Sequence, residues 1–357
     1  MVLGIDKITS LTDAGLTAYG INPIVRSLVI DGIFAGVGSV LSFLPLVVTL
    51  FFFLSILEDT GYMARVAFIM DKPLRKVGLS GRSFVPMLIG FGCSVPAIMA
   101  TRTLSSNRDR KLTILLTPFF SCSAKIPIYT VFCAAFFAKY QVFVITGLYI
   151  IGIILALLIS FVLKHTVFRG NPVPFVMELP NYRLPSPKSV FFLLWEKARD
   201  FIEKAFTIIF AATVIIWFFQ TFDAKLNVVT DSSESLLAMV GQFIAPVFKP
   251  LGFADWRVAT ALISGFTAKE AVVSTLSVLM NIEMSELGST LGNFFSPATS
   301  ISFLVFTLLY VPCAAAVATI RKELNSRTAT IGVVIMQCSI AWLTAYAIYS
   351  LLLMFGA

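Results

Sequence analysis

Charged side chains are scarce in this sequence: they make up 13% of its 357 residues, against 58% that are hydrophobic, including 34 phenylalanines. A soluble domain needs a charged exterior to cover its core, so that class is excluded. Short alternating strands are missing too. The apolar runs are far longer than the roughly 10-residue strands of an outer-membrane barrel, and several reach the roughly 20 residues needed to cross a hydrocarbon core of about 30 Å. The chain reads as an all-α polytopic membrane protein. No signal peptide is expected within the first 29 residues, which hold Asp6, Lys7, Asp13, Asn22 and Arg26 without a clean apolar centre.

Other absences narrow the chemistry. There is no Walker A sequence, nucleophile elbow or zinc-protease motif, so the chain shows no site for nucleotide hydrolysis and is not read as an enzyme. No CxxC or other tight ligand cluster occurs, which argues against a permanent structural zinc. The single histidine, His165, follows Lys164 at a helix end and reads as a surface residue. Five cysteines (Cys93, Cys122, Cys133, Cys313 and Cys338) all fall in apolar segments, poor placement for a disulfide framework. They are either small core residues or soft ligands.

Eight apolar segments stand out, at about 30–57, 84–104, 111–137, 141–163, 201–222, 257–280, 299–320 and 330–355. A proline-rich polar stretch from 164 to about 200 divides them into two sets of four. Laying 78–101 over 252–275 aligns Gly78 with Gly252, Leu88 with Leu262, Ile89 with Ile263, Ala97 with Ala271 and Thr101 with Thr275. A different offset lays "SCSA" (121–124) over "PCAA" (312–315), with Cys122 over Cys313. The identities are few, but the segments follow the same order in both halves.

The net charge of +8 comes from loop lysines and arginines rather than from a nucleic-acid surface. Five lie in 58–83, four in 102–111, seven in 164–204 and three in 321–327, whereas the remaining ends and loops carry six. If all eight segments crossed fully, one rich region would have to lie outside, against the positive-inside bias. If 84–104 and 257–280 instead enter and return on the same side, all the rich regions are cytoplasmic and both termini are outside. Each half then has three spanning helices plus one re-entrant helical hairpin, and the second half is an inverted copy of the first. The expected division is an extracytoplasmic segment (1–29), a first repeat (30–163), a cytoplasmic linker (164–200) and a second repeat (201–357). Secondary transporters built this way bind substrate between the repeats near mid-membrane.

Backbone broken at membrane depth is tolerated only against protein or a water-filled cavity. "GFGCSVP" (90–96) supplies Gly90 and Gly92 for tight or left-handed backbone, and Pro96 for the first turn of a returning helix. Cys93 and Ser94 fall at the turn, where freed carbonyls could face a cation; the alternative is a plain kink with Cys93 as filler. The equivalent turn, "SGFTAKEAV" (264–272), brings Thr267, Lys269 and Glu270. Ionisable groups there usually line an interior path. Neighbours in sequence do not face each other on a helix, so Lys269 and Glu270 are not expected to pair. Glu270 either binds a cation or proton or caps the returning helix, and Lys269 either holds an anion or a carboxylate elsewhere, or snorkels. "SCSAKIP" (121–127), with Ser121, Cys122 and Ser123, and "VPCAA" (311–315), with Cys313, interrupt spanning segments with small residues. Close helix approach would explain the small residues alone. Three thiols at comparable depth would equally suit a transition metal such as iron, copper or zinc. Glu58 and Asp59, ending the first span, are either a cation-guiding mouth or a solvated helix end.

"LSILEDTGYMARVAFIMD", "GLSGRSFVPMLIGFGCSVPAIMATRTL", "RKLTILLTPFFSCSAKIPIY", "NPVPFVMELPNYRLP" and "GFTAKEAVVSTL" together closely resemble the membrane domain of the FeoB ferrous-iron transporters, from about residue 40 to 320. The resemblance implies two gate-type repeats like those of nucleoside transporters. It implies Fe2+ as transported substrate rather than permanent cofactor, and a multi-pass location in the bacterial cytoplasmic membrane. The family's proposed metal-path cysteines fall on Cys93, Cys122 and Cys313. A GTPase domain, in cis or in trans, small accessory Feo proteins and a homo-oligomer are the implied partners. The family's GTP-binding domain, helical spacer and usual first transmembrane helix are not in this stretch, so the GTPase is expected to be truncated away or a separate polypeptide. Two other expectations compete: a carrier for a nucleoside-like organic solute, using Thr267, Lys269 and Glu270, and a membrane receptor docking a soluble GTPase.

Overall fold

A computed structural model of the chain describes residues 2–18, 23–168, 182, 184–225, 227–229, 232–282, 287–292 and 294–354. Most of "NPVPFVMELPNYRLP", and with it much of the expected linker, lies outside these residues. The described chain is helical, its only β pairing being an isolated Phe222–Val228 bridge.

Helices α1 (Val2–Ala18) and α2 (Pro23–Ser27) lead through a π-helical stretch, Leu28–Phe34, into α3 (Ala35–Asp59) and α4 (Tyr62–Lys76). Two short helices follow, α5 (Phe84–Gly90) and α6 (Ser94–Ala100), then α7 (Asn107–Leu116), α8 (Ile126–Phe136) and α9 (Gln141–His165). The second half runs α10 (Pro187–Thr221), α11 (Leu236–Ile244), α12 (Trp256–Thr267), α13 (Ala271–Met280) and α14 (Leu287–Leu291). It ends with α15 (Pro297–Leu309), α16 (Ala314–Leu324) and α17 (Arg327–Met354).

Four helical runs are long and apolar enough to cross a membrane: Asn107–Phe136, Ala138–His165, Pro297–Leu324 and Arg327–Met354. Two more qualify only as bent pairs, Leu44–Asp59 with Tyr62–Lys76 at 82° and Leu236–Leu251 with Trp256–Thr267 at 105°. The described residues therefore offer four to six candidate spans, and the four unbent runs are four of the apolar segments read from sequence. Two details differ from that reading. Helix α10 starts at Pro187, inside the stretch expected as a linker, and its apolar part is Phe206–Thr221. The 236–251 stretch is helical but was not expected as an apolar segment; "GQFIAPVFKPLG" breaks its hydrophobic run with glycine, proline and lysine.

Burial follows the residues on each helix. Helix α15 is buried on nearly every side and is the central element, as expected for a helix apolar all round. Its N-terminus is closed by Ser296, whose hydroxyl accepts from the Thr299 N–H, with Pro297 in the first turn. Helix α9 buries Leu148, Gly152, Ala156 and Ser160, a stripe of mostly small residues at four-residue spacing. A Cβ on Gly152 would lie 2.7 Å from the Phe119 carbonyl oxygen, so glycine there sets how closely α9 approaches the end of α7. Helix α17 likewise buries Thr330, Val333, Gln337, Ala341 and Ala345 and turns Ile331, Ile335 and Leu343 outward.

Neither α5 nor α6 can cross a bilayer, because seven residues span only about 10 Å. They pack against one another across the break Phe91–Cys93. In the second half a Cβ on Gly265 of α12 would lie 2.3 Å from a Val272 methyl on α13. Residues seven apart on a continuous helix are about 10 Å apart, so the chain folds back between them. Gly78 and Gly252, the leading aligned pair in the sequence, share the same left-handed backbone, with φ of +88° and +89°.

The halves are tied together at a buried carboxylate. Glu323, at the end of α16, receives hydrogen bonds from Arg102, just after α6, and from Arg110 on α7. The Arg110 bond is 2.6 Å, and the Glu323 side chain is 2% exposed. Burying a carboxylate is costly unless it is paired and hydrogen-bonded, and two guanidinium groups meet that condition.

Candidate functional site

The four backbone interruptions expected from sequence meet at one place. A cavity of about 80 Å³ is lined by Gly92, Cys93 and Ser94 from the α5–α6 break, and by Cys122, Ser123 and Lys125 from the α7–α8 break. The α12–α13 break adds Thr267, Lys269 and Glu270, and the α15–α16 break adds Pro312 and Cys313. Val47 on α3 and Ile209 on α10 complete an apolar wall.

Each thiol stands in extended backbone just before a helix. Cys93 (φ −153°, ψ 133°) precedes α6, Cys122 (φ −81°, ψ 160°) precedes the turn Ser123–Lys125 into α8, and Cys313 (φ −60°, ψ 158°) precedes α16. The breaks brace each other. The Ser123 N–H and hydroxyl both donate to the Gly92 carbonyl, at 3.2 and 2.9 Å, so one freed carbonyl of the first break is satisfied by the next.

Neither Gly90 nor Gly92 adopts the left-handed backbone allowed for in the sequence. At Gly92 the approach is close: a Cβ there would lie 2.7 Å from a Leu50 methyl, so the end of that flexible side chain would have to shift. A Cβ on Gly90 would meet Phe120 at an ordinary 3.5 Å. Pro96 is in the first turn of α6, as expected. Ser121 lies outside the lining, with its hydroxyl 3.0 Å from that of Tyr129. Thr267 donates to the Ser264 carbonyl at 2.6 Å and so closes the end of α12.

Lys269 and Glu270 face different neighbours. The Lys269 ammonium donates to the Val311 carbonyl at 2.5 Å and sits 3.2 Å from the Tyr310 ring centroid. The residue is 2% exposed, so it does not snorkel to an interface. Glu270 forms no capping hydrogen bond to α13, and its Oε2 has no hydrogen-bond partner among the described residues. Lys125, 3% exposed, donates to the Leu308 carbonyl at 2.6 Å. Sequence reasoning gave Lys125 no role, although the signal was the one used for Lys269: an ammonium within an apolar segment. Tyr310 was missed because a tyrosine there is indistinguishable from core.

Glu58 and Asp59 lie outside the cavity lining, where α3 bends into α4. Asp59 accepts the Ser186 N–H at 2.8 Å and Glu58 pairs with Lys197 at 2.5 Å, so both hold the start of α10. Cys133 is buried in the α8 core. The three cavity thiols belong to the same lining without closing into a cage: among the described residues, no group of three or more His, Cys, Asp or Glu could hold a metal ion.

The Gate family model, described as nucleoside recognition, matches residues 40–136 and 202–327, and thus supplies all four breaks. The intervening residues 145–197 match the model for the ferrous iron transport protein B C terminus. The chain belongs to the FeoB membrane-region family. It is similar to the Fe(2+) transporter FeoB of Staphylococcus aureus (strain MSSA476), 43% identical over 332 residues covering 93% of this chain and 50% of that protein. It is also similar to the Fe(2+) transporter FeoB of Methanocaldococcus jannaschii, 41% identical over 319 residues, 87% of this chain and 48% of that one. A third FeoB relative, from Porphyromonas gingivalis, is an Fe(2+) transport protein A/Fe(2+) transporter FeoB fusion protein, 37% identical over 378 residues, 92% of this chain and 45% of that one. The chain spans about half the length of these curated relatives. No solved structure matches it. As a FeoB membrane region with several apolar spanning helices, it is a multi-pass membrane protein.

Proposed function

We propose that this chain is a ferrous-iron permease domain of the bacterial cytoplasmic membrane, with the cavity at the four breaks as its metal path. One observation carries the reading: Cys93, Cys122 and Cys313, far apart in sequence, line the same small cavity. Thiolates are soft ligands suited to a borderline dication, and they ionise as metal binds. Gly90, Gly92, Ser94, Pro96, Ser121, Ser123 and Thr267 shape the breaks, and Glu58 and Asp59 act at a distance by holding α10.

The same reading includes two inverted gate-type repeats, each with three spans and a re-entrant hairpin, covering about 30–163 and 201–357. It is supported by matching element order, by the shared backbone of Gly78 and Gly252, and by extended cysteines before α8 and α16. The segments 1–29 and 164–200 are then extracytoplasmic and cytoplasmic. A GTPase domain in cis or in trans is the proposed energy source, so the chain itself transports without enzymatic activity. An accessory Feo protein is a further proposed partner, given the fusion in the Porphyromonas gingivalis relative. Homo-oligomers within the lipid bilayer complete the proposed assembly.

The description of the Gate family favours a second reading, a nucleoside carrier. The lining supports it poorly: among the described residues it has no aromatic ring for base stacking, and about 80 Å³ is well below the roughly 300 Å³ of organic-ligand sites. Titration of the purified chain with Co2+, a spectroscopic stand-in for Fe2+, separates the two. Thiolate-to-cobalt charge-transfer bands that vanish in the triple Cys93→Ser, Cys122→Ser, Cys313→Ser variant support the metal path. Adenosine binding without such bands overturns it.

A further inference from the structure

Lys125 and Lys269 are buried in an apolar interior, 3% and 2% exposed, and their hydrogen-bonding and ring contacts are with neutral groups. Lys125 rests on the Leu308 carbonyl, and Lys269 on the Val311 carbonyl and the Tyr310 ring. All of these acceptors belong to one short stretch, the end of α15 and the break that follows it. Meanwhile the carboxylate in the same cavity, Glu270, leaves Oε2 without a partner among the described residues.

This distribution is the reverse of what stability alone favours. An intramembrane ammonium is costly and ordinarily pairs with an available carboxylate. Here the ammoniums rest on oxygen dipoles at a helix C-terminus, which carries negative partial charge. Backbone carbonyls freed at a break are also the oxygens that take over from water around a desolvated metal cation in selective pores.

We propose that the Leu308 and Val311 carbonyls form an oxygen subsite for the transported dication, and that Lys125 and Lys269 hold this subsite as tethered cations until the metal displaces them. The proposal rests on the reading of the cavity as a metal path. An arriving dication takes the carbonyl oxygens together with the cavity thiols, giving the mixed oxygen–sulfur environment that suits a borderline metal. The exchange moves a charged side chain and transfers no proton. It also opposes occupancy by weak binders: a cation that cannot outcompete two ammoniums does not enter the subsite, and after the metal leaves, the lysines reclaim the carbonyls.

Competition and simple bracing predict opposite effects of removing a lysine. If Lys125 only braces the break, Lys125→Met loosens the site and weakens metal binding. If it competes with the metal, Lys125→Met and Lys269→Met bind Co2+ at least tenfold more tightly than the unaltered chain, read from the thiolate charge-transfer bands. Equal or weaker binding in both variants, with melting temperatures in detergent unchanged, overturns the proposal. The unaltered chain gives a second measurement that needs no variant to fold. Anomalous scattering from Co2+-loaded crystals should place cobalt about 2 Å from the Leu308 or Val311 oxygen, with the lysine shifted away. Cobalt on the thiols with both lysines still on their carbonyls overturns the tethered-cation proposal and leaves the metal path standing. Complete absence of cobalt binding in the unaltered chain overturns both.

Discussion

Lys125, in the break of one span, donates its ammonium at 2.6 Å to the carbonyl of Leu308, just before the break in another. The two residues are 183 positions apart. The bond joins the two halves of the chain at the depth where each has lost its regular helix. The same junction carries the thiols, so interventions at the breaks should separate metal chemistry from packing.

The cysteine series is the first such intervention. Cys93→Ser, Cys122→Ser and Cys313→Ser each replace a proposed soft ligand by a hydroxyl, with little change in volume. Each is expected to weaken Co2+ binding by about tenfold or more, the scale on which metal sites respond to altered ligation. Cys133→Ser, buried in the α8 core away from the cavity, should leave metal binding unchanged. Equal effects at all four positions would show that thiol loss acts through folding instead.

The two glycines of the first hairpin should behave differently. Gly92→Ala forces a Cβ to within 2.7 Å of Leu50 and disturbs the wall beside Cys93, whereas Gly90→Ala meets only ordinary contacts. Overpacking costs about 1–3 kcal/mol, and because the flexible end of Leu50 can give way the expected cost falls at the lower end. Gly92→Ala is therefore expected to lower both the melting temperature and Co2+ affinity, with Gly90→Ala close to the parent. A Gly90→Ala variant as damaged as Gly92→Ala would mean that backbone freedom, not close approach, is what both positions supply.

How much of this was legible in the sequence depends on the kind of signal. The apolar runs of α9 and α17 could be read directly, because each exceeds the length needed to cross a bilayer. The breaks were legible because glycine and proline inside such runs weaken the very helix that would otherwise continue across. The positive φ at Gly78 and Gly252 falls on the pair that leads the alignment of the two halves. Helix α11 and the stretch after it were missed because Gly241, Pro246 and Pro250 interrupt the hydrophobic run. Glu58 and Asp59 looked like a mouth because charge at a helix end is ambiguous. Their partners, Lys197 and the Ser186 N–H, lie well over a hundred residues away, and no local pattern announces them. The contacts of Lys125 and Lys269 were illegible for the same reason, since backbone carbonyls carry no sequence signature.

Tight packing behind the cavity gives a prediction independent of metal. On α9, a Cβ at Gly152 would lie 2.7 Å from the Phe119 carbonyl oxygen, whereas one at Gly147 meets nothing within 4 Å. Gly152→Ala should destabilise the fold by about 1–3 kcal/mol, and the control Gly147→Ala, whose Cβ enters open space, should not. Thermal unfolding in detergent measures both. Matching melting temperatures would show that α9 can shift away from Phe119 without cost.

Glu323 supplies the last test, at the far end of α16 from Cys313. Its carboxylate is 2% exposed and receives both Arg102 and Arg110, so Glu323→Gln removes the one negative charge that these two guanidinium groups share. Hydrogen bonds to charged groups contribute about 1.5–3 kcal/mol each. The two arginines are partly exposed and recover some solvation, which places the expected loss near the lower end of that range. Because Arg102 follows the first hairpin and Glu323 ends the second broken span, the damage should also reach the cavity, as lowered Co2+ affinity in Glu323→Gln. Arg102→Lys keeps the positive charge but loses the fork geometry, so it should fall between parent and Glu323→Gln in stability. A Glu323→Gln protein with parental melting and parental Co2+ affinity would show that the two halves are held together at the breaks themselves, with the arginine–glutamate cluster contributing only surface charge.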